Sequence, residues 1–540
     1  MTAFFQTLLQ LTGAARATTL AGAAPDHAFA DADVARLQRV DGARMARPVS
    51  GTVDEPTWQG MLLAPYFARL TVHASIFGKQ QLYQDLREGV TMDQRAALEA
   101  RLIRLEDGAV VAAQAPVLQA LREAETELTA MLFDDHAPMV PAWAGKCWLL
   151  AVALVLSVVA AAWSPLAWLA TFFCLFQMVA LQARYHAIID AWDRQRVSLQ
   201  RLLRACSLAA ASDEASLQAF ATLGRQAGRS NRALHRQVAQ AVSMVGVYLD
   251  WFLQANIEHY FKSVRLVHEQ RAFLQQCFYV CARLDADATL ARHRATTATC
   301  WARRGDGVQF DDAVHPLLET AAPLSVDLRG GGAFISGQNG VGKSTLLRTV
   351  GLNLLTARAF GFCYAARAHC PMALVVASMQ SEDSLLGGAS LYMAELARAR
   401  ELLAAANARP ADGAVIFIID EIFRGTNHLE SVSSAAAVLD ELAARQMVLV
   451  SSHNVVLASL LAHRLAPLCV ARDDDGALRV TPGVLANTNG ISLLAQHGFG
   501  AEIDAKARCV FAWLETFLAQ PPGGASVLAP TPVAWSERAA

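Results

Sequence analysis

Three short stretches of this 540-residue chain carry side chains whose types and spacing suit phosphoryl chemistry. The first is Gly337, Gln338, Asn339, Gly340, Val341, Gly342, Lys343, Ser344 and Thr345, which completes G-x-x-x-x-G-K-[ST]. Its glycines let successive backbone N–H groups point into one concavity. Lys343 supplies a point charge for β- and γ-phosphates, and the Ser344 hydroxyl can ligate Mg²⁺. The second is Asp420-Glu421 at the end of the apolar run Val415-Ile416-Phe417-Ile418-Ile419. There the first carboxylate can hold Mg²⁺ and the second is placed to polarise a water attacking the γ-phosphate. The third is His453, at the tip of Met447-Val448-Leu449-Val450-Ser451-Ser452, where an imidazole can sense the γ-phosphate or hydrogen-bond the attacking water. The expected roles are therefore Lys343, Glu421 and His453 in catalysis, Gly337 to Thr345 in ATP binding, and Ser344 with Asp420 on Mg²⁺.

For these groups to meet, each must sit on a defined element. Phe334 and Ile335 read as a strand entering the Gly-rich turn, and Leu346, Leu347, Val350 and Leu354 as the helix leaving it. From about Val308 strands and helices alternate to about Leu518, an α/β domain. A further Gly-rich turn, Gly387-Gly388-Ala389-Ser390, precedes a helical pattern. Read from its residues alone, Ser390 is either an ordinary N-cap or a helix N-terminus facing a phosphate bound by a second subunit. Upstream the periodicity is helical: Phe67, Leu70, Ala74 and Phe77, then Leu98, Leu102 and Leu105, then Leu118 and Leu121, and later Val245, Tyr248, Leu249 and Phe252. The expected fold class is α + α/β. A long-helix core over 58–306 follows an N-terminal segment over 1–57 and precedes a P-loop ATPase domain over 307–520 and a Pro- and Gly-rich tail over 521–540.

Composition adds a membrane to this picture. The chain is 54% apolar, with mean hydropathy +0.28. Between Cys147 and Ala183 there is no Asp, Glu, Lys, Arg or His. That run is too long for one span and long enough for two of about 17 to 18 residues, with Ser164-Pro165 at the turn. A transmembrane hairpin is expected, one helix from about Trp148 to Trp163 and another from about Leu166 to Ala183, with Lys146 and Arg184 on the cytoplasmic side. The alternative is a buried hairpin in a soluble core. The first positive charge is Arg16, so no secretory signal is expected.

A net charge of −2 gives no global case for nucleic acid. Local patches remain: Arg225, Arg229, Arg232 and Arg236 recur at helical spacing, and Arg292, Arg294, Arg303 and Arg304 cluster. Either set is a phosphate-contact patch or a solvated face. The ten cysteines lack zinc-site spacing and read as free thiols in a reducing compartment, with no zinc expected.

Taken in order, GQNGVGKS, GGASLYMAEL, DEIFRGTN and SSHN resemble the MutS family of DNA-mismatch-recognition ATPases. Arg424-Gly425-Thr426 is the most telling element. His315-Pro316-Leu317-Leu318-Glu319, Asn489-Gly490-Ile491-Ser492 and, upstream, Ser75 to Tyr83 with Leu86-Arg87 resemble that family's flanking motifs. The resemblance implies ATP on Gly337 to Thr345, Mg²⁺ on Ser344 and Asp420, Glu421 as general base and His453 as γ-phosphate switch. It also implies Ser390 reaching into a partner's site, hence a homodimer. Phe423 and Asn427 stand where the family usually has Gly and Ser. About 60 residues precede the helical core, too few for mismatch-reading and connector domains, so direct mismatch recognition is not expected. The expected protein is a dimeric ATPase anchored in the inner membrane, its ATPase domain cytoplasmic and its helical arms on DNA. The alternative is a membrane-coupled ATPase switch acting on a membrane partner without DNA.

Overall fold

A computed structural model of the chain describes residues 51–133, 140–235, 244–318, 320, 322–328, 331–379, 391–407, 414–473, 478–485 and 501–518. Among them two compact units separate. One comprises Thr71–Tyr83 and Arg101–Arg292, the other the residues from 51 to Leu70, Gln84–Ala100 and those from His293 onward.

The first unit is helical. Its helices include α1 (Trp148–Ala160), α2 (Ala167–Ala210), α3 (Gly224–Leu234) and α4 (Arg271–Thr296). Leu199, Leu202, Leu203 and Cys206 of α2 interlock with Leu274, Cys277, Phe278 and Cys281 of α4 in one core. Phe278 meets Phe77 and Phe133 edge-on, at 5.7 and 5.4 Å between ring centroids. The Ser75–Gly78 stretch has a physical reason here. Asp285 accepts hydrogen bonds from the Ser75 amide at 2.7 Å and its hydroxyl at 2.6 Å, and Ser75 Oγ in turn accepts the Gly78 amide at 3.3 Å in the first turn of the helix Ile76–Glu88. Gly78 is needed because a Cβ there would lie 2.2 Å from the same carboxylate.

Residues 147–183 fold as a helical hairpin. Ala151, Leu154 and Ser157 of α1 are turned inward, as are Thr171, Cys174 and Met178 of α2. The Thr171 hydroxyl donates to Ser157 Oγ at 3.0 Å, and Ser157 donates back to the Leu154 carbonyl. The outer surface is apolar: Trp163, Leu166, Leu169, Phe172, Phe173 and Phe176 are 61% to 79% exposed. Among the described residues α2 is the one helix long and apolar enough to cross a membrane; α1, with 13 residues, is a shorter apolar helix. The first helix ends at Ala160, three residues before the expected limit. The second runs on past Ala183 to Ala210, 44 residues in all, about 66 Å at helical rise. Neither Gly nor Pro occurs between Leu166 and Ala210 to interrupt it. At the hairpin's base Trp143, Tyr185 and Phe261 pack edge to face.

The second unit is built on a six-stranded sheet. Its strands are β1 (Gly332–Gly337), β2 (Leu374–Ser378), β3 (Val415–Asp420), β4 (Met447–Ser451), β5 (Leu465–Arg472) and β6 (Leu478–Pro482), in spatial order β6-β5-β1-β4-β3-β2. All pairs are parallel except β5–β6. Both β1 and β3 are buried along their whole length, which is why each reads as an unbroken small or apolar run instead of an alternating one. Helices α5 (Lys343–Phe360), α6 (Leu391–Asn407) and α7 (His428–Ala443) connect the strands. A four-stranded sheet joins, in spatial order, Arg303–Arg304, Arg367–Cys370, Val308–Ala313 and Leu324–Leu328, close to where the sequence period shifts. Residues 51–70 lie along the main sheet. The Thr57 hydroxyl accepts from the Ala377 amide at 2.8 Å, the Gly60 carbonyl accepts from Arg348 at 3.0 Å, and Tyr66 OH pairs with Tyr364 OH at 2.8 Å.

Candidate nucleotide site

The loop between β1 and α5 forms because its glycines take backbone conformations that other residues resist. Gly340 and Gly342 have φ of +76° and +113°, and a Cβ on Gly337 would lie 2.8 Å from the Val470 carbonyl. Lys343 opens α5, and its ammonium donates to the carbonyls of Gly337 at 2.9 Å and Gln338 at 3.2 Å. The lysine is thus folded back along its own loop. Burial lowers its pKa, an effect that the charges of Asp420 and Glu421 partly offset. Ser344 and Thr345 follow on the first turn of α5.

The carboxylates come from β3. Asp420 is buried and accepts a short hydrogen bond from the Ser451 hydroxyl of β4, its register partner. Nothing in the sequence singles out Ser451, since a serine at a strand end carries no signal of what it faces. The next residue, Glu421, has φ +61° and donates its amide to the Ser451 carbonyl at 2.9 Å. Its carboxylate lies 2.8 Å from His453 Nε2 through one oxygen and 3.3 Å from Arg424 Nε through the other. Burial would push the Glu421 carboxyl up. The hydrogen bond and charge of His453, with Arg424 and Lys343, outweigh it and hold the group below the usual carboxylate range. His453 is 54% exposed, so a ligand can reach it.

Lys343, Asp420, Glu421 and His453 therefore converge at the C-terminal edge of neighbouring parallel strands, the edge where ligands bind in open α/β sheets. The donor set suits a phosphate chain with Mg²⁺: backbone N–H groups at a helix N-terminus, one ammonium, and hard oxygens from Ser344 and Asp420. A Cβ on Gly340 would meet no heavy atom within 4 Å, so the positive φ and not crowding calls for glycine there.

The two positions that depart from the MutS pattern have local explanations. Asn427 caps α7, accepting from the Glu430 amide at 3.0 Å, a task Ser performs equally well. Phe423 is 1% exposed and joins the core between β3, α6 and α7. Ser390 with Gly387 to Ala389, Asn489 to Ser492, Glu319 and Arg236 lie outside the described residues. Arg225, Arg229 and Arg232 share one exposed face of α3, opposite the buried Gly224, Ala227, Ser230 and Leu234.

Residues 333–512 match the family model described as MutS domain V. The chain is 30% identical over 273 residues to the DNA mismatch repair protein MutS of Thermus aquaticus, an alignment covering 48% of this chain and 33% of that protein. It is 30% identical over 263 residues to the DNA mismatch repair protein MutS 1 of Halobacterium salinarum, covering 45% and 29%. Against the DNA mismatch repair protein MutS of Rhodopirellula baltica the values are 28% over 271 residues, 46% and 30%. The matched region spans about a third of the length of these curated relatives.

Proposed function

Through its C-terminal half the chain belongs to the MutS family, and from that premise we propose that it is a Mg²⁺-dependent ATPase switch, active as a homodimer, membrane-anchored and acting on DNA. The observation that carries the ATPase reading is the meeting of Glu421 and His453 at 2.8 Å beside the Lys343 loop. In this reading the loop amides and Lys343 bind the β- and γ-phosphates. Ser344 and Asp420 would hold Mg²⁺, whose charge offsets that of the phosphates. Glu421 takes the proton of the attacking water while His453 orients it, and Ser390 of the partner subunit completes the site. ATP binding closes the dimer and hydrolysis reopens it, a two-state switch biased by contacts to the γ-phosphate.

Membrane anchoring rests on the hairpin over 147–183, which turns its polar groups inward and its apolar side chains outward. Both ends then face the cytoplasm of a cell whose inner membrane holds the protein. The same hairpin favours a second reading, in which closure is transmitted to a membrane partner and DNA plays no part.

The test is the ATPase rate of the detergent-solubilised full chain with and without duplex, mismatched and branched DNA. Turnover stimulated by DNA is expected. Glu421→Gln should bind ATP yet lose about a hundredfold or more in kcat, and Lys343→Ala should lose nucleotide. Turnover indifferent to every DNA would favour the membrane-partner reading, and wild-type turnover in Glu421→Gln would remove the general-base role.

A further inference from the structure

The loop carrying Glu421 is strained, and part of what holds it comes from another element. Glu421 and Phe423 have φ of +61° and +57°, a region that residues with side chains hold only when their surroundings over-determine it. One flank of the loop borders a cavity of about 490 Å³, lined by Glu421, Arg424, Arg348 and Gln59 among others. Beyond the Ser451 and His453 contacts and the buried Phe423, the loop is held by the first turns of α6. Glu395 accepts the Arg424 amide on one carboxylate oxygen at 3.1 Å and the Gly425 amide on the other at 3.0 Å. Arg424 Nε lies 3.7 Å from Glu395 and 3.3 Å from Glu421, a guanidinium shared by the two carboxylates. Gly425 packs so closely on this helix that a Cβ would sit 2.6 Å from the Tyr392 nitrogen. The Tyr392 ring lies 6.2 Å from that of the buried Phe423.

We propose that Glu395 is a positioning residue, the clasp by which α6 holds the strained loop and aims the Glu421 carboxylate at the water to be activated. This rests on the reading of Glu421 as general base. A carboxylate is required because both amides need an acceptor; glutamine offers one acceptor and turns a donor toward the other amide. Movement of α6 is thereby felt at Glu421 through two hydrogen bonds and one close backbone approach, with no ligand in common.

The experiment uses the detergent-solubilised full chain and measures kcat, KM for ATP, equilibrium binding of a fluorescent ATP analogue, and amide exchange. Glu395→Ala should lower kcat about tenfold or more with KM and analogue affinity within about twofold, since a displaced catalytic group costs rate and not ground-state binding. Glu395→Gln should fall between it and wild type. Exchange in the peptide spanning 419–427 should quicken in Glu395→Ala while that of the 333–345 stretch stays unchanged. Gly425→Ala should act in the same direction, and the double variant should be no worse than the weaker single one, the mark of one shared interaction. Wild-type kcat in Glu395→Ala would overturn the proposal, as would equal losses of kcat and analogue affinity with exchange quickened throughout the domain. Wild-type protein without turnover would remove the general-base reading and this proposal with it. Normal wild-type turnover with indifferent Glu395 variants removes this proposal alone.

Discussion

His293 sits between Arg69 and two tyrosines. Its Nε2 is 2.8 Å from Tyr364 OH, which in turn pairs with Tyr66 OH. Burial, aided by the charge of Arg69, lowers its pKa from the usual 6.5 to about 4. The folded protein therefore holds a neutral imidazole where the unfolded chain would take up a proton. Stability from this group is complete above pH 6.5 and is lost as pH falls toward about 4. The melting temperature of wild type should drop over that window more than that of His293→Gln, which cannot titrate; parallel curves would rule the histidine out. The same scale explains Phe423. In sequence it is only an unusual residue after Asp-Glu-Ile, whereas in the fold it fills a core site against Tyr392. Its backbone strain is legible in no single-residue property.

Among the elements, the hairpin is where composition and structure agree most fully on a feature with an outward apolar face. Phe172 and Phe176 are 65% and 68% exposed, so replacing them disturbs little beyond the contact of Phe172 with the exposed Trp168 ring. In a bilayer the same change would be costly, since an arginine near the bilayer centre costs roughly 2.5 to 3.5 kcal/mol on insertion scales. Phe172→Arg/Phe176→Arg should keep the wild-type melting temperature within about 2 °C and lose most co-flotation with lipid vesicles. Undiminished flotation would remove the membrane reading. The length of α2 is less legible in sequence than its start. Helical periodicity announces a helix, but its continuation from the apolar part into the core of the first unit follows from packing of Leu199, Leu202, Leu203 and Cys206 on α4.

For the molecule as a whole, net charge near zero leaves nucleic-acid binding to local patches. Arg225, Arg229 and Arg232 form such a patch on α3. If they neutralise DNA phosphates, the triple alanine variant should lower the slope of log affinity against log salt by about 0.9 for each phosphate left without its arginine. An unchanged slope in duplex-binding titrations would take these arginines out of the interface.

What could be read without coordinates is what lies close together along the chain. The Gly-rich loop is made by one stretch, Gly337 to Thr345, whose glycines set its turns and whose lysine folds back on its own backbone; Asp420-Glu421 closes one apolar strand and His453 follows another within two residues. Such motifs carry their geometry within a few residues, so residue type and spacing specify them. The remaining connections join distant parts: Thr57 with the Ala377 amide, Ser451 with Asp420, Glu395 with the amides of Arg424 and Gly425. A polar side chain in a helix or strand looks the same in sequence whether it meets water or a partner tens to hundreds of residues away. Chain folding alone brings these groups to hydrogen-bonding distance, and with them the support of Glu421.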